Sequence, residues 1–151
     1  MRKVAIHEFT LEATWPGGRN EVGEIKAGNL KTEISIPPEM DGPGIGTNPD
    51  EMLLGAAATC YLITVAAMIE RAQLPLKHIS LSSVGEVDVT NGVFTYIKIT
   101  HKPVVKLQEN ATEKQFNQLE KIIYQAESSC MISRAIKGNV EIALEEKLSI
   151  G

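Results

Sequence analysis

PDEMLLGAAATCYLITVAAMIE, residues 49–70, is the stretch whose reading decides the fold. From Met52 to Ile69 no side chain is charged, and polar groups are limited to Thr59, Tyr61, Thr64 and the thiol of Cys60. A surface helix shows an apolar stripe, whereas a helix apolar all round has to be covered all round. The segment therefore reads as a central helix. Its eighteen uncharged residues reach the lower edge of a membrane span. They are rich in Ala, Gly and Thr, however, and have neither a basic flank nor a second such segment. A buried helix of a soluble domain is expected.

The flanks fix its ends. Asn48 suits the N-cap and Pro49 the first helical position, while Glu51 is placed to reach back to the N-cap amide. Asp50 and Glu51 also complement the helix dipole. Gln73-Leu74-Pro75 closes the helix. Upstream lies PPEMDGPGIGTN, residues 37–48, with three Pro and three Gly in twelve positions. That is long for a connection and reads as a functional loop.

Outward from this core, residues 4–15 alternate imperfectly and predict two short strands broken near Glu8. Pro16-Gly17-Gly18 is a turn, followed at once by Arg19. Strands around Ala27-Gly28-Asn29 complete a small antiparallel meander. Residues 76–90 and 93–107 flank Asn91-Gly92, the strongest hairpin signal in the chain, with Pro103 predicting a free edge or a bulge. Thr112 to Gln115 is a capping box opening an amphipathic helix with Phe116, Leu119, Ile122 or Ile123, and Ala126 inward. Ser128-Ser129 can cap a short helix carrying Cys130, and Val140, Ile142 and Leu144 alternate as a last strand. The order predicts an α+β domain, antiparallel sheet plus helices, spanning residues 1–151 as one unit. Covering the whole 52–69 helix within 151 residues is difficult, so a partner subunit is expected.

Composition narrows the function. Hydrophobic residues make up 43% and charged residues 23%, with a net charge of −4 and no basic run, which disfavours nucleic acid and anionic membranes as partners. Met1 to Val4 leads into alternation rather than an apolar run, predicting no signal peptide and a cytoplasmic location. Two cysteines there are expected as free thiols. Cys60 and Cys130, seventy residues apart without a CxxC, are no metal signature, and His7, His78 and His101 sit in strand-like stretches. No metal or cofactor is implied. Free cysteine is commonly a buried small hydrophobe. A nucleophilic cysteine needs a cation, a helix N-terminus or hydrogen-bond donors nearby. Cys130, near a predicted helix start, has one of these locally; Cys60 has no charged neighbour within a turn. Glu51 is explained by capping alone, and Arg19 by a solvated loop.

Trp15-Pro16-Gly17-Gly18-Arg19, the Gly-rich loop into Thr47-Asn48-Pro49-Asp50-Glu51-Met52-Leu53, Ala56-Ala57-Ala58-Thr59-Cys60 and a second cysteine seventy residues on together resemble the OsmC/Ohr family of thiol peroxidases. The resemblance covers nearly the whole chain. It implies an α+β fold with antiparallel sheets around central helices, in an intertwined homodimer with its active site near the subunit interface. It implies reduction of organic hydroperoxides at the expense of an external dithiol. Carried over by position, Cys60 is the peroxidatic nucleophile and Cys130 the resolving thiol. Arg19 stabilises the thiolate and polarises the peroxide, and Glu51 holds Arg19. Well-known members have a proline after the second cysteine, where this chain has Met131. The alternative from another class is a non-enzymatic stress-associated or small-molecule-binding protein on the same fold, with Cys60 an inert core residue.

Glu51 and Cys60 are nine residues apart, which on one straight helix means about half a turn of separation and ~13 Å of rise. A shared site predicts a joint between them, and Gly55 is the obvious place.

Overall fold

The computed structural model describes residues 4–151. The chain divides into two compact units, Met1–Met52 and Leu53–Gly151.

In the first unit, β1 (Glu12–Thr14), β2 (Gly23–Ala27) and β3 (Leu30–Ile34) form an antiparallel sheet in the order β1-β2-β3. Gly28, at a φ of 59°, supplies the left-handed residue of the β2–β3 turn. Of the two strands expected across residues 4–15, only β1 forms; Val4, Ile6, Phe9 and Leu11 are all exposed. The loop that follows β3 is not loose. It opens with a 3₁₀ turn at Pro38–Met40, and the Ser35 hydroxyl both donates to the Ile45 carbonyl and accepts from the Ile45 N–H, each at 2.7 Å. Gly46 has a φ of 68°, and a Cβ there would collide with the Glu33 carbonyl, so the close approach of loop to strand requires glycine.

The second unit is built on the hairpin β4 (Leu76–Thr90) and β5 (Val93–Leu107). Asn91 and Gly92 have φ of 51° and 73°, the paired left-handed residues of a type I′ turn, as expected. On its other side β5 pairs in parallel with β6 (Glu141–Leu144) and then with β7 (Lys147–Ile150). The α+β class holds, but this sheet is mixed rather than wholly antiparallel, and β7 was not anticipated. Pro103 marks neither a free edge nor a bulge. β6 pairing ends at His101 and β7 pairing begins at Val104, so the residue without an N–H sits where β5 changes partner.

Two helices and a short third cover the sheet. α1 (Pro49–Arg71) is one uninterrupted helix, and the expected joint at Gly55 is absent. A lone glycine costs a helix only about 1 kcal/mol, which its apolar flanks offset. Asn48 caps it, accepting from the Glu51 N–H at 2.9 Å. α2 (Glu113–Ser129) opens on the reciprocal Thr112–Gln115 capping box. α3 (Met131–Ile136) is capped at Cys130 rather than at a serine, with no side-chain bond.

Tyr61, Val65 and Ile69 of α1 pack into a core with Val105, Leu107, Leu119, Ile123 and Ala126. Together with Ala57 they are the buried residues of α1, one every four positions, hence one face. The chain itself therefore covers a single stripe of a helix that is apolar all round, and Ile63 is 68% exposed. α1 is long and apolar enough to cross a membrane; a single such helix does not by itself indicate a membrane protein.

Candidate active site

Cys60 and Cys130 come together within the second unit. Cys60 is half-buried on α1, and Cys130 is fully buried at the junction where α2 ends and α3 begins. The Cys130 N–H still donates to Ala126, closing α2, while its carbonyl accepts from Arg134 and starts α3. One extended residue thus turns the chain and presents a thiol.

The two thiols are hydrogen-bonded to each other. Burial pushes the Cys60 pKa up, but the bond from Cys130, the main-chain N–H groups of Ile132 and Met131, and the Thr64 hydroxyl together bring it below the ordinary thiol value. Cys130 moves the other way. Burial and its bond to Cys60 raise its pKa, only partly opposed by Ser133 and Ile132. The pair is polarised: Cys60 carries the negative charge first, and Cys130 keeps a proton to donate to it.

These donors answer a question left open by the uncharged helix. No cation in the second unit is needed to lower Cys60, because α3 points its first N–H groups at the sulfur, and those groups have no helical acceptor of their own. Met131 matters here, since a proline in its place would have no N–H to give. Sequence reasoning missed Thr64, Met131 and Ile132. Thr64, four residues after Cys60 and so on the same helix face, carried the one readable signal.

Arg19 and Glu51 lie in the first unit, and they are not paired there. The Trp15 indole N–H donates to the Gly18 carbonyl at 2.9 Å and tightens the turn before Arg19. The Arg19 guanidinium spans the Met40 and Asp41 carbonyls, at 2.6 and 3.3 Å, and also donates to Asn20. The Glu51 carboxylate accepts from the Thr47 hydroxyl at 3.1 Å, rather than reaching Arg19 or the N-cap amide.

A second buried polar group was not foreseen. His101 of β5 is fully buried, stacks on Tyr61 with ring centroids 4.9 Å apart, and shares a 2.6 Å hydrogen bond between Nδ1 and the Ser83 hydroxyl. Burial lowers its pKa and keeps the ring neutral. Among the described residues no group of three His, Cys, Asp or Glu side chains is placed to hold a metal ion.

A mixed α+β fold thus carries one pair of facing thiols whose pKa values are shifted in opposite directions. The OsmC-like protein family profile matches residues 42–145, and the chain belongs to that family. It is 59% identical over 148 residues to the uncharacterized protein YmaD of Bacillus subtilis (strain 168), covering 98% of this chain and 99% of that one. It is 25% identical over 141 residues to an organic hydroperoxide resistance protein of Xanthomonas axonopodis pv. citri, covering 90% and 92%. Among solved structures, an organic hydroperoxide resistance protein OsmC from Legionella pneumophila superimposes with a TM-score of 0.72 at 25% identity, covering 97% of this chain and 98% of that one.

Proposed function

We propose that this protein is a thiol-dependent peroxidase that reduces organic hydroperoxides to alcohols through Cys60 and Cys130, the whole chain acting as one OsmC/Ohr-like domain. The observation that carries this reading is the polarised thiol pair, with Cys60 lowered and half-exposed and Cys130 raised and buried beside it. The Cys60 thiolate attacks the distal peroxide oxygen. The O–O bond breaks, the alkoxide leaves and takes a proton, and Cys60 becomes a sulfenic acid. Cys130 then attacks that sulfur, water leaves, and a disulfide forms. An external dithiol returns both thiols by exchange and is itself oxidised. No cofactor enters this cycle. Ile63, one turn along α1 from Cys60, and Met131 both present exposed apolar side chains, which favours an organic peroxide over hydrogen peroxide.

In this scheme Arg19 polarises the bound peroxide and Glu51 orients Arg19. The uncovered faces of α1 support a homodimer with the site near the subunit interface. A cytoplasmic location suits two free thiols kept reduced.

The test is peroxide consumption with a dithiol, comparing cumene hydroperoxide with hydrogen peroxide, in the parent and in Cys60→Ser. Turnover is expected in the parent, faster with the organic peroxide, and none in the variant. A parent with no peroxide-dependent turnover, or a variant that matches it, would overturn the assignment and favour a binding protein on the same fold.

A further inference from the structure

Ser133 is only 5% exposed, and its hydroxyl has no hydrogen-bond partner among the described residues. A helical serine commonly turns its hydroxyl onto a carbonyl three or four residues back. Ser128, near the end of α2, does so, reaching the Gln125 and Tyr124 carbonyls at 3.2 and 3.5 Å. Ser133 does not, and the neighbouring Cys130 thiol does not satisfy it either. A buried polar group left bare costs stability, and native structures keep few of them without a use.

Ser133 lines a cleft of about 370 Å³ between the last turn of α2, α3 and the start of β6. Gly138, at a φ of 90°, turns the chain from α3 toward β6 and leaves its part of the wall without a side chain. Val140 and Ile142 supply the apolar wall. Arg134 and Lys137 bring positive charge to the cleft, and Glu127 and Glu141 bring negative charge. Among the described residues none of these four side chains makes an ion pair or a hydrogen bond. Glu127 is half-buried, so its carboxylate gives up water without gaining a counter-ion. Neither cysteine lines the cleft. A larger cleft of about 1000 Å³ runs between α1 and α2, but no unsatisfied buried polar atom faces it.

We propose that the cleft between α2, α3 and β6 is a binding site for a zwitterion, an α-amino acid with an apolar side chain. Arg134 and Lys137 take its carboxylate, and Glu127 and Glu141 take its ammonium group. The Ser133 hydroxyl donates to the carboxylate or accepts from the ammonium, whichever lies over it. Val140 and Ile142 receive the side chain. A ligand of one sign would leave the other pair of charges unanswered, so the lining selects a molecule that carries both. The volume is at the small end of the roughly 300–1,000 Å³ usual for ligand pockets, which suits a single amino acid.

The probe is L-leucine, titrated into the isotope-labelled full chain and followed by NMR. Isocaproate and isoamylamine serve as analogues that keep the apolar branch and lose one charge each. Saturable shifts are expected at the amides of Ser133, Gly138 and Val140, with each analogue binding at least about tenfold more weakly. Ser133→Ala and Arg134→Gln are each expected to weaken L-leucine by roughly three- to tenfold. No saturable shift would overturn the proposal and leave the Ser133 hydroxyl to a water alone. Equal binding of L-leucine and the analogues would overturn it too, as would undiminished binding in either variant. If Ser133→Ala does not fold, Arg134→Gln and the analogues decide. The site is apart from the thiol pair, so this result is separate from whether the protein turns over peroxide.

Discussion

Cys60 and Tyr61 are neighbours in the chain, yet α1 delivers them to opposite kinds of polar environment. One residue along a helix is about 100° around it. Cys60 lands on a half-exposed face among donors that favour its charged form. Tyr61 lands on the buried stripe, where its hydroxyl donates to the Ile123 carbonyl at 2.9 Å and burial pushes its pKa upward. Its partner His101 is likewise kept neutral. The contrast shows what burial does with and without donors. Both sites are desolvated, but only around Cys60 do enough hydrogen bonds converge to reverse the sign of the shift. In the proposed function the Cys60 side is chemistry and the Tyr61 side is scaffold, and each half of the statement can be broken.

The largest effect is expected from Cys60→Ser, which should abolish peroxide turnover while leaving the urea unfolding midpoint within experimental scatter of the parent. A variant that unfolds easily would mean that Cys60 is core after all. Cys130→Ser comes next. After one equivalent of peroxide, the parent's intact mass should fall by two hydrogens as the disulfide closes, and the variant should instead gain an oxygen on Cys60. A disulfide-like loss in the variant would remove Cys130 from the cycle. On the scaffold side, Tyr61→Phe should cost about 1 kcal/mol in equilibrium unfolding. The figure is at the low end because the Ile123 carbonyl, inside α2, keeps its helical partner. Cys60 alkylation should be unchanged in Tyr61→Phe, and a shifted profile would show that the two faces are not independent.

How much of this could be read in the sequence depended on range. Short-range signals worked: Asn91-Gly92 placed both long strands, the Thr112–Gln115 box placed α2, and Asn48 placed the start of α1. Gly55 misled, because a glycine suggests a joint only where something exploits it, and nothing packs within 4 Å of where its side chain would be. β7 was missed because four residues with two apolar positions carry little periodicity, and its partner lies some forty residues upstream on β5. The juxtaposition of Cys60 with Cys130 was also invisible to spacing, and only the family resemblance suggested it. Thr64 was legible in principle as the residue one turn beyond Cys60. The α3 amides were not, since main-chain donors have no letter in the sequence.

The remaining effect concerns pH and tests whether the scaffold side stays neutral. His101 has a pKa lowered by burial, so the unfolded chain binds a proton near pH 6.5 that the folded chain still refuses. Stability from this residue is therefore fully present above about pH 6.5 and is lost as pH falls below it, by at most about 1.4 kcal/mol per pH unit, until the folded pKa is reached. The groups around the ring, Ser83 and Tyr61, offer no negative charge to stabilise an imidazolium, and that keeps the folded pKa low. Urea unfolding of the parent between pH 7.5 and about 5 should show this decline, and His101→Gln should flatten it while lowering stability at neutral pH through the lost stack. An equally steep decline in the variant would place the titrating group elsewhere and leave the Tyr61–His101 stack as packing alone.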